Sequence, residues 1–224
     1  MLKIGVLLPA HFVDTGDYLA DARALDAAGV DSLWLTGGGF DPWLVMSGIA
    51  AVTGQARLAV PISARDAETP DGLARRLATL DRLSRGRVLA TVAPADDPAG
   101  TEALITCARR GGPRPVLVEA LGGGHALVGA RHADGLVATA EPAECHAAFD
   151  QARDRRERDR LSTPFELWTR IPAPAGPEQW RERLAGAAAV GATGVIVPAD
   201  PRLLDLVRNG DQEDDRSDLT LAQG

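Results

Sequence analysis

Short apolar runs alternate with amphipathic stretches through almost the whole chain. The segment TPDGLARRLATLDRLSRGRVLATV, Thr69 to Val92, shows the pattern most fully. Thr69 is placed to cap the first free N–H groups, Pro70 suits a first helical turn, and Leu73, Leu77, Leu80 and Leu83 recur on one face until Gly86. Val88 to Val92 then follows with Thr91 as its one polar side chain. A strand without polar alternation is buried on both faces, as in a parallel sheet covered by helices.

The same grammar repeats. Apolar strand candidates begin near Lys3, Ser32, Arg57, Arg87, Pro115, Asp134, Phe165 and Thr193, each leading into a helical stretch, which makes eight βα units. Helix starts are marked by Asp41-Pro42, Thr69-Pro70, Asp97-Pro98, Gly176-Pro177 and Asp200-Pro201, and helix ends by Gly29, Gly54, Gly86, Gly112 and Gly191 as left-handed caps. Eight such units either close into a barrel or lie open as a doubly wound sheet. The count favours the (β/α)8 TIM barrel, and LKIGVLLP runs into AHFVDTGD without the glycine fingerprint of a dinucleotide-binding sheet. The expectation is one α/β barrel domain over residues 1–208. After it, 209–224 loses periodicity, carries Asp211, Glu213, Asp214, Asp215 and Asp218, and reads as a disordered acidic tail.

Composition narrows the function classes. In 224 residues with 45% hydrophobic composition there is enough apolar surface for a sizeable core. A net charge of −7 with no basic cluster argues against nucleic acid and against an anionic membrane surface as partners. Without a signal-peptide pattern or a run of about 18 apolar residues, a soluble, cytoplasmic protein is expected. Cys107 and Cys145 lie far apart without metal-ligand spacing, and no histidine pair has the i, i+4 spacing of a helical metal site, so no metal is expected. No nucleophile elbow and no phosphate-binding GxxxxGK[ST] loop supports a hydrolase or a nucleoside triphosphatase.

Candidate chemistry collects where strands of such a barrel would end. His11 follows the first strand, and imidazole is the side chain suited to proton transfer near neutral pH, so it is the candidate general acid or base. Gly122, Gly123 and Gly124 lead from RPVLVEAL into a helix, where successive N–H groups and the helix dipole favour an anion such as phosphate. His125 follows them as an anion contact or a solvated residue. Arg170 ends FELWTR and is either a clamp for an anionic substrate or flavin tail, or a salt bridge on the rim. Trp34 and Trp168 lie within strands and read as barrel packing, and ARDRRERDR at 152–160 as a solvated helix face.

The pieces DAAGVDSLWL, DPWLVMSGIAAVTGQARL, LARRLATLDRLSRGRV, RPVLVEALGGGHALVGARHADGLV and GATGVIVPADPRLLDLVRN resemble the luciferase-like flavin-dependent oxidoreductases. LATLDRLSRGRV is the most specific of them. The resemblance implies a TIM barrel holding FMN or a deazaflavin at its C-terminal mouth and acting on a small organic substrate, by monooxygenation or hydride transfer. It implies Glu119 and the glycine run beside the cofactor phosphate, Ser63 at the end of VPIS facing the ring, a homodimer through helices near the second and third strands, and a flavin reductase as a possible partner. The chain also departs from the family. Only Ala93 to Arg114 separates the fourth and fifth strands, so the usual insertion there is reduced and the barrel abridged. Thr36-Gly37-Gly38-Gly39 replaces the acid and histidine common after the second strand, and Ala93-Pro94-Ala95 lacks a phosphate-binding arginine. These departures leave a second reading open: a non-catalytic flavin-binding protein, or the inactive subunit of a heteromeric pair.

Overall fold

The computed structural model describes residues 2–36, 38–110, 112–120, 123–138 and 142–209. Eight strands, β1 (Lys3–Leu7), β2 (Ser32–Trp34), β3 (Arg57–Ile62), β4 (Val88–Val92), β5 (Val116–Ala120), β6 (Gly135–Ala138), β7 (Glu166–Arg170) and β8 (Gly194–Pro198), all run parallel. Each pairs with the next, and β8 returns to β1 through Lys3 opposite Gly194 and Leu7 opposite Pro198, closing the barrel. Closure decides what periodicity left open between a barrel and an open sheet. The helices are α1 (Thr15–Ala27), α2 (Pro42–Val52), α3 (Pro70–Leu83), α4 (Pro98–Arg110), α5 (Gly123–His132), α6 (Pro142–Arg158), α7 (Pro177–Ala189) and α8 (Leu203–Asn209). Between β4 and β5 the connection holds α4 alone, so the reduced insertion after the fourth strand is observed.

Helix boundaries follow local chemistry where a side chain can reach. Asp14 caps α1 by accepting from the Asp17 N–H, and Asp41 caps α2 by accepting from the N–H groups of Trp43 and Leu44. Gly29, Gly86, Gly112 and Gly191 take positive φ, as left-handed caps require. Gly54 does not, because α2 ends instead on an extended Thr53. Thr69 makes no side-chain capping bond; a 3-10 turn at Ala64–Glu68 delivers the chain to α3 from the side, and Pro70 alone marks the start. α8 begins at Leu203 rather than at Pro201, since Asp200 spends its carboxylate on Arg202 and its carbonyl on the Leu203 N–H. Within α3, Leu73, Leu77 and Leu80 are buried against the sheet, whereas Leu83 at the last turn is 55% exposed.

Two apolar layers hold the barrel. Between sheet and helices lie residues such as Val6, Leu33, Met46, Leu58, Leu77 and Phe149, all buried. Inside the ring, Trp34, Ala59, Leu89, Leu117, Val137, Trp168 and Ile196 form a second cluster, with the two indoles 5.3 Å apart. Both tryptophans are therefore packing, as the sequence indicates.

The N-terminal end of the barrel is closed by charge pairing. Glu166 accepts from Lys3 Nζ, from both terminal nitrogens of Arg57 and from Trp168 Nε1, and Arg57 lies over the Trp168 ring at 5.6 Å. Arg87, just before β4, donates to the carbonyls of Ala50, Thr53, Ala56 and Ser84, satisfying the end of α2. The SRGRV motif is thus a structural latch at the end of the barrel opposite the mouth. On α6, Arg156 is buried rather than solvated: it donates to the Ala130 carbonyl and to Thr163 and lies over Phe165 at 4.3 Å. Cys145 is buried and Cys107 half-buried.

Candidate functional site at the barrel mouth

Strand alternation fixes which side chains enter the ring, because successive residues point to opposite faces. Leu117 on β5 and Trp168 on β7 face inward, so Glu119 and Arg170, two residues further along the same strands, face inward one layer nearer the C-terminal end. That layer is half-open: Leu7, Pro61, Glu119 and Arg170 are half-buried and Pro198 is exposed, while the layer beneath is wholly buried. The result is a half-open rim above a sealed apolar core, at the end where TIM-barrel sites lie.

Glu119 and Arg170 meet across β6. Arg170 Nη2 donates to Glu119 Oε1 at 2.9 Å, passing over the position of Val137, which pairs with Glu119 on one side and Trp168 on the other. Burial pushes the Glu119 carboxyl above its usual range, and the adjacent guanidinium opposes that rise without cancelling it. The pairing occupies only part of each group. Arg170 Nε is buried with no partner, and the second carboxylate oxygen of Glu119 has none among the described residues. An unmade bond at a buried donor costs about 1–3 kcal/mol, which a ligand oxygen would recover. The sequence offered Arg170 as a clamp or as a rim salt bridge; it is a salt bridge whose guanidinium still has a donor to give.

The remaining candidates stand around this pair. His11 is exposed on the loop after β1 and meets the Phe40 ring edge-on at 5.6 Å, beside the stacked Phe12 and Tyr18 rings. Among the described residues no hydrogen bond or ion pair joins it to Glu119 or Arg170. Ser63 lies just past β3, and its N–H and hydroxyl both donate to Asp66 Oδ2 at 2.9 Å, so its oxygen remains able to accept. All peptides among the described residues are trans. Gly123 and Gly124 form the first turn of α5, with Gly124 exposed and set against Pro98 of α4; Gly122 lies outside the described residues. His125 shares a hydrogen bond with the Ala95 carbonyl at 3.1 Å, tying α5 to the loop after β4. Gly38 and Gly39 sit on the loop after β2, while Gly37 and 210–224 are outside the described residues.

One polar residue at the mouth went unread in the sequence. Asp66 accepts from Ser63, Trp43 Nε1 and Arg76, knitting β3 to α2 and α3. The three-residue spacing from Ser63 to Asp66 is the capping-box signature that could have revealed it. The Glu119–Arg170 pair had no local signal, since 51 residues separate its members.

Among the described residues no cluster of three metal-ligating side chains occurs, and no helix is long and apolar enough to cross a membrane. At the mouth the Glu119–Arg170 pair keeps one unused buried donor, Arg170 Nε, above the fully buried Leu117, Val137 and Trp168.

Residues 2–104 match the family model described as luciferase-like monooxygenase. No curated protein matches the sequence. Among solved structures, the coenzyme F420-dependent tetrahydromethanopterin reductase from Methanopyrus kandleri superposes with a TM-score of 0.75 at 11% identity, over 94% of this chain and 97% of that one. The EDTA monooxygenase from Chelativorans sp. BNC1 gives 0.77 at 11% identity, over 92% and 91%. An F420-dependent secondary alcohol dehydrogenase in complex with an F420-acetone adduct gives 0.77 at 12% identity, over 93% and 96%. At such identities the likeness is one of fold. Residues 2–104 are thus similar in sequence to the luciferase-like monooxygenases, and the barrel as a whole is similar in fold to these solved structures.

Proposed function

We propose that this protein is a flavin- or deazaflavin-dependent oxidoreductase that works on a small organic substrate at the C-terminal mouth of its barrel. The observation that carries the reading is the half-buried Glu119–Arg170 pair, with an unused donor, at the C-terminal end of the barrel. Luciferase-like sequence over residues 2–104 and neighbours named for F420 dependence or monooxygenation support a cofactor of this chemistry. When bound, such a cofactor supplies the electron-pair transfer, and the protein's share is to bind, orient and exclude water.

In this reading Arg170 and Glu119 orient the ligand at the mouth, and Ser63 offers its hydroxyl oxygen from the β3 side. The N-terminal turn of α5 at Gly123 and Gly124 receives a phosphate through its backbone N–H groups. His11 is the group that moves a proton at the open rim, and a flavin reductase is the source of reduced FMN if FMN is used.

A second reading rests on the loop after β2, where Gly38 and Gly39 stand in place of the acid and histidine implied by the family resemblance. It makes the chain a flavin-binding protein without turnover, or the inactive member of a pair.

Titration of the purified protein with FMN and with F420, followed by absorbance and fluorescence, tests the main reading. Binding of one of them at micromolar concentration, with turnover in a reductase-coupled or hydride-transfer assay, is expected. Binding without turnover selects the second reading, and absence of binding to both removes each of them.

A further inference from the structure

We infer that Arg82, Arg85 and Arg114 form a binding site for the phosphate group of a small molecule at the N-terminal end of the barrel, opposite the mouth. The inference is independent of the cofactor reading above.

The three arginines come from two connections. Arg82 is in the last turn of α3, Arg85 lies between α3 and β4, and Arg114 stands just before β5. With Asp81, Gly86 and Gly112 they line a cavity of about 400 Å³. The packing of α3 beside α4 brings them together, so no basic run in the sequence announces the site.

The donors of Arg82 and Arg85 are unspent. The carbonyls that close α3 already have partners: Leu80 accepts from the Ser84 N–H, Asp81 from the Gly86 N–H and Arg82 from the Arg85 N–H. Neither exposed guanidinium makes a hydrogen bond or ion pair among the described residues, so capping bonds to the helix end do not explain them. Arg114 is buried and donates Nη1 to the Ala108 carbonyl; burial lowers its pKa, and the Asp81 carboxylate opposes that lowering. A Cβ at Gly112 would lie 3.4 Å from Arg114 Nη2, so glycine keeps the cavity from being filled there. One carboxylate thus faces three guanidinium charges in the cavity wall.

The backbone at Arg85 points the same way. Its φ of 61° lies in the left-handed region, which glycine enters freely and arginine does not. No contact of its side chain within the protein offsets that strain, and a bound anion would. Phosphate suits the site because its oxygens accept in pairs from planar guanidinium forks. The chain as a whole carries a net charge of −7, which turns away a long polyanion and leaves a compact one.

Calorimetric titration with inorganic phosphate, against sodium chloride of matched ionic strength, tests the site. The parent is expected to bind phosphate, Arg85→Gln to weaken that binding by about tenfold, and the double variant Arg82→Gln, Arg85→Gln to lack this site. Arg85→Gly separates a ligand role from a structural one. It is expected to raise the melting temperature of the phosphate-free protein, because glycine accepts the positive φ, while weakening phosphate as Arg85→Gln does. A parent that gives no heat beyond matched chloride overturns the inference, as does phosphate binding of unchanged affinity and stoichiometry in the double variant. A lower melting temperature in Arg85→Gly would mean that the side chain holds the fold, and the inference would fail. Arg85→Gly carries the test if the double variant melts early. None of these readouts involves flavin, so they succeed or fail apart from the cofactor reading.

Discussion

The indole of Trp34 occupies the space that any side chain at Gly5 would need. A Cβ built on Gly5 would run into Trp34 Nε1, and Gly194, on the other side of β1 in the sheet, leaves room for Trp168 in the same way, its Cβ position lying 2.6 Å from Cε3. Two large rings thus fill the centre of an eight-stranded ring because neighbouring strands contribute no bulk at that level. Trp34 Nε1 donates to Ser32 and Trp168 Nε1 to Glu166, so neither indole N–H is left bare.

Overpacking at this point should be costly. Gly5→Ala is expected to lower stability by about 2 kcal/mol and the melting temperature by roughly 5 °C, measured by calorimetry. An unchanged melting temperature would mean that Trp34 can move aside.

Arg87 should matter for stability and not for ligand binding. It satisfies the carbonyls at the end of α2 from the closed end of the barrel, far along β4 from the mouth. Arg87→Ala is expected to cost about 3 kcal/mol in urea unfolding, and Arg87→Lys to recover little of it because one ammonium cannot reach several carbonyls at once. Flavin affinity of the folded fraction is expected to stay within twofold of the parent's.

Acid should loosen the closed end before the mouth. Its hydrogen bonds from Arg57, Lys3 and Trp168 outweigh burial and hold the Glu166 carboxyl below its ordinary range, and the backbone N–H groups of Gly54, Gln55 and Ala56 do the same for Asp26. A depressed folded-state pKa contributes stability that is present above the unfolded value and lost as pH falls below about 4.3. Glu119, whose carboxyl is raised by burial, acts with the opposite sign: its share of stability diminishes as pH rises through that same region. Urea midpoints between pH 3 and 7 are therefore expected to fall on the acid side, and Glu166→Gln to flatten that fall. A parallel acid limb in the variant would exclude Glu166 as its source.

A second copy of the chain is the expected partner of α2. Leu44 on its outer face is 73% exposed, and Phe40, just before the helix, is 47% exposed. Leu44→Asp is expected to shift the protein from dimer to monomer in sedimentation equilibrium at micromolar concentration, with the melting temperature nearly unchanged. A parent that sediments as a monomer would refute the dimer.

Strand and helix order were legible from residue types alone, because each βα unit carries its own instructions. An apolar run such as VLATV is buried on both faces wherever it goes, and Asp41-Pro42 starts a helix through contacts within three residues. Glycines at the helix ends were equally readable, except at Gly54, where Thr53 turned the chain first. Solvation was harder to read: Arg156 looked like one charge among many in ARDRRERDR until the fold brought Ala130, Thr163 and Phe165 around it.

Of the candidate site, the sequence by itself offered the members and not their partnership. Strand-end position put Arg170 and His11 at the mouth, since strand length is a local property, and the family resemblance added Glu119 and Ser63. Only the closed ring decided that Glu119 and Arg170 would meet over β6, that Ser63 would be held by Asp66, and that His11 would stand apart against Phe40. Those outcomes depend on the register and curvature of strands far apart in the chain, and a hydrogen bond between residues 51 positions apart leaves no trace in the composition of either neighbourhood.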